Sequence, residues 1–247
     1  MSDSHAIPSA KPRAYTAPEL HKYPDANEHA HGHHPYVAHQ FDDLAQQKEA
    51  STLGMWAFLA TEVMFFAGAF LGYAIYRSYY HEGFVAASRL ENWFIGAINT
   101  CVLLVSSLTV ALAVHAAETG NRKGILQYLG VTIVLGLIFL GVKVFEYSHL
   151  IHEGLFPGAW HPEPHTLAAQ YHGAGRIFFS FYFAMTGLHA LHMIIGIGII
   201  AYVMWMAFKG RFTREYYNPV EITGLYWHFV DIVWIFLYPL LYLVDRS

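Results

Sequence analysis

Five long apolar stretches dominate the sequence after residue 50 and define its predicted architecture. A helix needs about 20 mostly apolar residues to cross the hydrocarbon core of a membrane. Each stretch reaches that length and carries at most two charged side chains. Backbone groups in hydrocarbon must bond within their own segment, which favours helices. We therefore predict an all-α, polytopic membrane bundle with five transmembrane helices, at about residues 52–76, 93–117, 125–147, 177–208 and 222–244.

The sequence outside these stretches is polar. Residues 1–50 form a His-rich N-terminal tail ahead of a membrane domain at 51–247, and they contain no apolar run long enough for a signal-peptide core. Most connections between the stretches are short. Residues 148–176 are the exception, with five histidines and three prolines, and we expect short surface helices or turns there.

The distribution of lysine and arginine predicts the orientation in the membrane. With five spans, the tail and the connections near 118–124 and 209–221 share one side. Cytoplasmic segments carry an excess of lysine and arginine. The shared side holds nine of these residues and the other side four, which predicts an N-terminus inside and a C-terminus outside. The nine are Lys11, Arg13, Lys22, Lys48, Arg122, Lys123, Lys209, Arg211 and Arg214; the four are Arg77, Arg89, Arg176 and Arg246.

Composition supports a membrane protein and excludes other classes. Hydrophobic residues make up 55% of the chain and charged residues only 13%, against about 25% charged residues in soluble domains. The net charge of −4 indicates no polyanionic partner, and Cys101 is the single cysteine. A disordered chain, a nucleic-acid binder and a secreted disulfide scaffold are therefore excluded.

Ionisable residues inside a membrane usually mark a functional site or a packed polar contact. Glu62 lies near the middle of the first span. Three interpretations of it stay open. The carboxyl could relay or sense protons beside a partner's proton path, contact a partner helix or lipid, or form an internal hydrogen bond that fixes helix packing.

The third span carries Lys143 and Glu146, three positions apart on one helical face. We expect a local ion pair near the outer interface, with Lys143 snorkelling towards water. A polar contact to another subunit is the alternative.

The fourth span carries two histidines three positions apart, and the fifth span carries a histidine and an aspartate at the same spacing. We expect His189 and His192 to form hydrogen bonds between helices, while ligation of haem or a metal, with His228 as a third ligand, is the alternative. His228 and Asp231 predict a His–Asp hydrogen bond or contacts to a neighbouring helix. Asp231 needs a partner at its depth in the span.

Three further features concern the ends of the spans and the tail. Glu221 suits the positive end of the dipole of the fifth helix, and Lys209 and Arg211 are well placed to meet lipid phosphates. The tail could hold Zn, Cu or Ni ions, although a solvated or partner-docking tail is the simpler interpretation. The candidate ligands in the tail are His29, His31, His33 and His34.

Four passages resemble subunit III of the haem–copper oxidases, most closely the cytochrome c oxidase type in its five-helix bacterial form. They are TEVMFF (61–66), KVFEY (143–147), GLHALHMIIG (187–196) and YWHFVDIVWIFLYPLLY (226–242). Family members usually have seven helices, of which the first two form a separate arm. This chain matches the last five, and its tail occupies the position of that arm. Another chain could supply the missing helices.

The resemblance implies a supporting role within a proton-pumping terminal oxidase of aerobic respiration. Subunit III binds no redox cofactor; haems and copper are expected in subunits I and II. It packs against subunit I, holds phospholipids and supports proton uptake. By position, Glu62, Glu146, His192, His228, Asp231 and Glu221 match polar residues of the family, and Lys209 and Arg211 are candidate lipid contacts.

The expected chain is thus a non-catalytic, multi-pass subunit in a bacterial-type cytoplasmic membrane. Its expected partners are subunits I and II, small subunits, phospholipids, cytochrome c through the complex, and a respiratory supercomplex. The same subunit in a quinol oxidase or a relative associated with nitric oxide reductase is the alternative. A stand-alone metal or haem transporter and an assembly factor are more distant alternatives.

Overall fold

The computed structural model describes residues 37, 40–159, 162, 172–214 and 216–244. By internal packing the chain divides into Met1–Gln47 and Lys48–Ser247. In the first unit, the Asp43 carboxylate accepts a hydrogen bond from the Gln46 amide at 2.7 Å. Such a bond satisfies one of the amides left free in the first turn of a helix, and helix α1 (Leu44–Tyr79) begins at this point.

The other regular elements in the described residues are also helical. α1 is followed by α2 (His81–Ser88), α3 (Trp93–Glu118), α4 (Arg122–His152), a 3₁₀ turn (Pro157–Ala159), α5 (His172–Phe208) and α6 (Asn218–Tyr242). Five of these helices, all except α2, are long and apolar enough to cross a membrane. The predicted all-α class and the five spans are confirmed for this part of the chain, which is a multi-pass membrane protein.

Four of the five long helices begin before their predicted spans, and α3 begins at the predicted residue 93. Asparagine side chains cap the starts of α3 and α4. The Asn92 side chain accepts from the amides of Phe94 and Ile95 at the start of α3. Asn121 does the same for Gly124 at the start of α4. The short helix α2 was not predicted. Within 148–176, the described residues include the end of α4, a 3₁₀ turn and the beginning of α5.

Three of the long helices end in the same way. Gly120, Gly154 and Gly210 follow α3, α4 and α5 with φ values of 72°, 72° and 71°. After each glycine, the next amide bonds to a carbonyl five positions earlier, as in Asn121 to Ala116. Glycine adopts this left-handed conformation without the steric penalty of a Cβ atom, so it closes the helix and reverses the chain.

Helices α3, α4, α5 and α6 form a ring in which each packs against two neighbours. Trp227 of α6 fills its centre and is fully buried. Its indole N–H donates to Ser106 Oγ on α3 at 2.8 Å. A Cβ atom at Gly136 of α4 or Gly196 of α5 would lie 3.0 Å from the Trp227 ring. The two glycines therefore admit the indole between neighbouring helices.

α1 lies beside this ring and contacts it through aromatic side chains. Phe66 packs on Phe229 of α6, with 6.3 Å between ring centroids. Tyr73 is fully buried and its hydroxyl donates to the Leu240 carbonyl of α6. Much of the remaining surface of α1 is apolar and exposed, including Val63, Met64 and Leu71.

The alternating helices give the bundle two ends. We call the end that carries residues 80–92, 153–159 and 243–244 the C-terminal end, and the end that carries residues 119–121 and 209–217 the N-terminal end. The inside location of the N-terminus stays a prediction.

Candidate functional sites in the membrane bundle

Glu62 and His192 form a pair between α1 and α5. Glu62 Oε2 lies 3.1 Å from His192 Nε2, and His192 Nδ1 lies 2.8 Å from the Leu188 carbonyl oxygen. A carbonyl oxygen only accepts hydrogen bonds, so Nδ1 carries a proton. The bond at Nε2 then has two forms: a protonated carboxyl donates to neutral imidazole, or imidazolium donates to carboxylate. In either form one proton lies between Glu62 Oε2 and His192 Nε2.

This pair is partly open to the outside of the bundle. The side chains of Glu62 and His192 are 20% and 13% exposed. The His192 ring packs against Phe66 at 5.4 Å, and Tyr226 donates to the His192 carbonyl at 3.1 Å. The structure therefore holds His192 in place while leaving one edge of the pair for lipid or a partner.

Lys143 and Glu146 form the predicted local pair, with Nζ 2.8 Å from Oε2. The predicted snorkelling of Lys143 is wrong, because its ammonium lies inside the bundle. It donates to Tyr182 of α5 at 3.3 Å and to Tyr242 of α6, and it lies 4.7 Å from the centre of the Trp234 ring. The Tyr242 hydroxyl donates to Glu146 Oε1 at 2.6 Å. These internal partners replace the water that snorkelling would reach.

Glu91 adds a second carboxyl to this cluster and was missed in the sequence analysis. It lies outside the apolar stretches, just before the Asn92 cap of α3, yet it is only 3% exposed. Its carboxyl lies close enough to that of Glu146 for the two charges to interact, and both carboxyls line one cavity. Burial, and then the charge of Glu146, raise the pKa of Glu91 well above its ordinary value. The position of Glu91 directly before the capping residue Asn92 was the only feature of the sequence that could have pointed to it.

A cavity of about 300 Å³ opens beside the two carboxyls. It lies between the start of α3 and the end of α4, at the C-terminal end of the bundle. Its polar wall includes Glu91, Glu146 and His149, and the remaining lining residues are Leu90, Asn92, Ile95, Phe145 and Leu150.

The imidazole ring of His189 is buried and packs against two aromatic side chains. Its centroid lies 5.4 Å from that of Phe139 and 5.1 Å from that of Trp234. Neither ring nitrogen has a hydrogen-bond partner among the described residues. The expected hydrogen bond between helices is therefore found for His192 and not for His189, because His189 packs between aromatic rings.

His228 bonds to a neighbouring helix, through Nδ1 to Ser107 Oγ of α3 at 2.7 Å. The alternative His228–Asp231 hydrogen bond is not formed. Asp231 is 3% exposed, and neither carboxylate oxygen has a hydrogen-bond partner among the described residues. The spacing placed both residues on one face, but the imidazole is engaged by Ser107.

The N-terminal end carries the other candidates. Glu221 lies in the first turn of α6, as predicted, and pairs with Lys48 of α1 at 2.9 Å, a partner that sequence reasoning missed. Lys209 is exposed, with Nζ 4.6 Å from the centre of the Trp205 ring, and Arg211 is exposed beside it.

The described residues contain no group of three or more His, Cys, Asp or Glu that could hold a metal ion. The candidate tail ligands His29, His31, His33 and His34 lie outside the described residues. Metal binding by the tail stays an alternative to a solvated tail.

Helical spans with buried polar pairs define a multi-pass membrane subunit, and comparison with known proteins gives the family. The family model for cytochrome c oxidase subunit III matches residues 38–160 and 163–245. The chain belongs to the cytochrome c oxidase subunit III family of the haem–copper oxidases, as the four passages had indicated.

Relatives of two kinds support this assignment. Cytochrome c oxidase subunit 3 of Thermostichus vulcanus is 29% identical over 206 residues, covering 83% of this chain and 92% of the relative. The protein of that name from Loxodonta africana is 31% identical over 226 residues, covering 85% and 72%. Quinol oxidase subunit 3 of Bacillus spizizenii is 31% identical over 192 residues, covering 78% and 86%. The family implies membership of a multi-subunit terminal oxidase.

Proposed function

We propose that this chain is the non-redox subunit III of a proton-pumping oxidase that transfers electrons from cytochrome c to O₂. Its haem and copper centres lie in partner subunits. The chain stabilises subunit I, holds lipids and supports proton uptake. The observation that carries this proposal is the Glu62–His192 pair, a proton-sharing site at the edge of the bundle.

The surroundings of the pair support contact with a partner. Val63, Met64 and Phe65 follow Glu62 on α1 and are at least half exposed. In a membrane such apolar surface is covered by lipid or by another helix. A partner helix of subunit I on this side of α1 would seal the open edge of the pair and bring its proton close to subunit I.

The remaining polar residues fit a structural role in the same subunit. The bonds of Lys143 and Glu146 to tyrosines tie α4 to α5 and α6, and the bond of His228 to Ser107 joins α6 to α3. Asp231 adds a buried carboxyl to α6, and Glu221 fixes the start of α6 to α1. Rigid packing of this kind would preserve a surface for subunits I and II and for small subunits.

Lys209 and Arg211 are the proposed lipid contacts. Both are exposed at the N-terminal end, where Trp205 lies beneath Lys209. An ammonium beside an indole at a span end suits the phosphate of a membrane lipid, and an anionic headgroup would attract both cations.

Cytochrome c and a quinol are the two candidate electron donors. Relatives named for cytochrome c and for quinol are equally similar at 31% identity. We favour cytochrome c because the notable sequence passages resemble that type most closely. A quinol oxidase is the second candidate, and in both cases the donor site lies on other chains.

The decisive experiment uses the complex purified in mild detergent with Glu62→Ala. We expect an unchanged haem spectrum and a shorter catalytic lifetime or poorer assembly, because the pair supports the oxidase without ligating its cofactors. Glu49→Ala, an exposed position on the same helix, is the matched control and should behave like wild type. Loss of haem from Glu62→Ala alone would contradict the non-ligand role.

The same preparation distinguishes the donors. Partner identification, copper content, and oxidation rates with reduced cytochrome c and with a quinol are measured on one sample. A copper-containing partner and activity with cytochrome c support the proposal. Activity with quinol alone selects the second candidate. A chain that still lacks haem-binding partners after milder extraction indicates a transporter or an assembly factor. In bacterial cells, fractionation should recover the complex in the cytoplasmic membrane, alone or in a supercomplex.

A further inference from the structure

The cluster around Lys143 contains two carboxyl groups, those of Glu146 and Glu91, but only one cation among the described residues. Glu146 accepts from the Lys143 ammonium at 2.8 Å and from the Tyr242 hydroxyl at 2.6 Å. Two strong donors on one carboxyl stabilise its ionised form. The positive charge of Lys143 then balances the negative charge of Glu146. Glu91 is a second carboxyl group beside this pair.

The groups facing Glu91 favour its neutral form. Glu146 and Lys143 face it from α4, and Glu153 lies just beyond the end of that helix. Tyr182 of α5 and Tyr242 of α6 complete the surroundings. Ionising Glu91 would place a second negative charge in a buried site, beside a carboxylate that already has its cation. A proton on Glu91 removes that repulsion and supplies a donor to Glu146.

The cavity gives this proton a route to water. It touches both carboxyls and reaches His149, whose side chain is 66% exposed. His149 Nε2 lies 3.1 Å from Glu153 Oε1, so a second polar pair stands at the outer edge. With a volume of about 300 Å³, the cavity has room for several waters, each of which occupies about 30 Å³ in the liquid.

We propose that Glu91 and Glu146 form a proton-binding site at the C-terminal end of the bundle, balanced by Lys143 and exchanging with water through this cavity. The site holds one proton per chain, which lies on Glu91 and is donated to Glu146. It is separate from the Glu62–His192 pair and shares no residue with it. The proposal does not depend on which electron donor the complex uses.

Infrared difference spectroscopy of the full chain in its detergent-purified complex tests the site. At neutral pH we expect a C=O stretching band from a protonated carboxyl that Glu91→Gln removes. Glu82→Gln is the matched control, since Glu82 is exposed on α2 at the same end, and it should leave the band in place. Transfer to D₂O should shift the band within the mixing time, because the cavity admits water.

Two further variants test the charge balance by the sign of their effect. Glu146→Gln leaves Glu91 facing Lys143 alone, so the Glu91 band should disappear at a lower pH than in wild type. Lys143→Met removes the cation, so the band should persist to a higher pH. Opposite shifts of the titration midpoint distinguish a shared proton from general loss of packing.

A band that is absent in Glu91→Gln, shifts in D₂O and moves in opposite directions in the two other variants supports the site. A protonated-carboxyl C=O region that Glu91→Gln leaves unchanged between about pH 6 and 8 would show an ionised Glu91 and overturn the proposal. A Glu91 band that does not shift during hours in D₂O would show a sealed carboxyl and would also overturn the exchange site.

Discussion

The two Glu-centred sites of the bundle share a chemistry but differ in how completely the chain encloses them. Glu62 and His192 join α1 to α5 through one side-chain bond, and their side chains remain 20% and 13% exposed. Lys143 and Glu146 are 8% exposed or less and are bonded to tyrosines of two other helices. The difference indicates an open site completed from outside and a closed site completed within the chain.

Enclosure changes what a single substitution does. In the closed site, Lys143 and Glu146 are buried and bonded to each other and to tyrosines, so removing one of them leaves an uncompensated buried charge. In the open site, lipid, water or a partner subunit can take over the lost contact. Substitutions in the closed site should therefore have larger effects than substitutions in the open site.

The largest effect is expected for Lys143→Met. Removal of one member of a buried ion pair typically destabilises a protein by about 3–5 kcal/mol, and Glu146 would here lose the cation at 2.8 Å. The free energy of unfolding, from denaturant titration in detergent, measures the change. Lys123→Met, at an exposed position, should change it by less than about 0.5 kcal/mol.

A compensated variant sharpens this prediction. Lys143→Met with Glu146→Leu removes both charges, and replacing a buried pair by apolar residues is often neutral. The double variant should recover most of the lost stability. A double variant as unstable as Lys143→Met would contradict the uncompensated-charge explanation.

The sequence predicted the spans and most of the ionisable residues that occupy them. Hydropathy located the five long helices because crossing a membrane imposes length and polarity on each segment independently. Glu62, Lys143 and Glu146 stood out for a related reason: placing an ionisable side chain in an apolar membrane segment costs free energy, so such residues are rare there. Side-chain caps at Asp43 and Asn121 then account for the early starts of α1 and α4, which hydropathy placed too late.

The partners could not be predicted, because they depend on helix packing. His192 lies 130 positions from Glu62, and Tyr242 lies 99 positions from Lys143. Whether a lysine snorkels or turns inward depends on which helix offers acceptors. Glu91 was missed because a carboxyl outside a span is ordinarily solvated, and only the fold shows it buried against Glu146.

An intermediate effect is expected for Tyr242→Phe. The hydroxyl accepts from Lys143 and donates to Glu146, so its removal deprives both charged groups of one partner. Hydrogen bonds to charged groups contribute about 1.5–3 kcal/mol, and we expect a loss of stability in that range. Tyr202→Phe, at an exposed tyrosine of α5, is the matched control. An equal effect of the two substitutions would count against a closed network.

The smallest effect is expected from a double-mutant cycle of Glu62→Gln and His192→Phe in the isolated chain. Coupling energies between polar side chains in membrane bundles average about 0.6 kcal/mol and reach about 1.7. The partly exposed pair should fall in this range, because surrounding molecules substitute for the missing partner. As a control, the effects of Glu62→Gln and Lys123→Met on the free energy of unfolding should add. Any deviation from additivity gives the error of the measurement. A coupling energy above about 2 kcal/mol would show that the chain alone seals the pair, and the contrast between an open and a closed site would then fail.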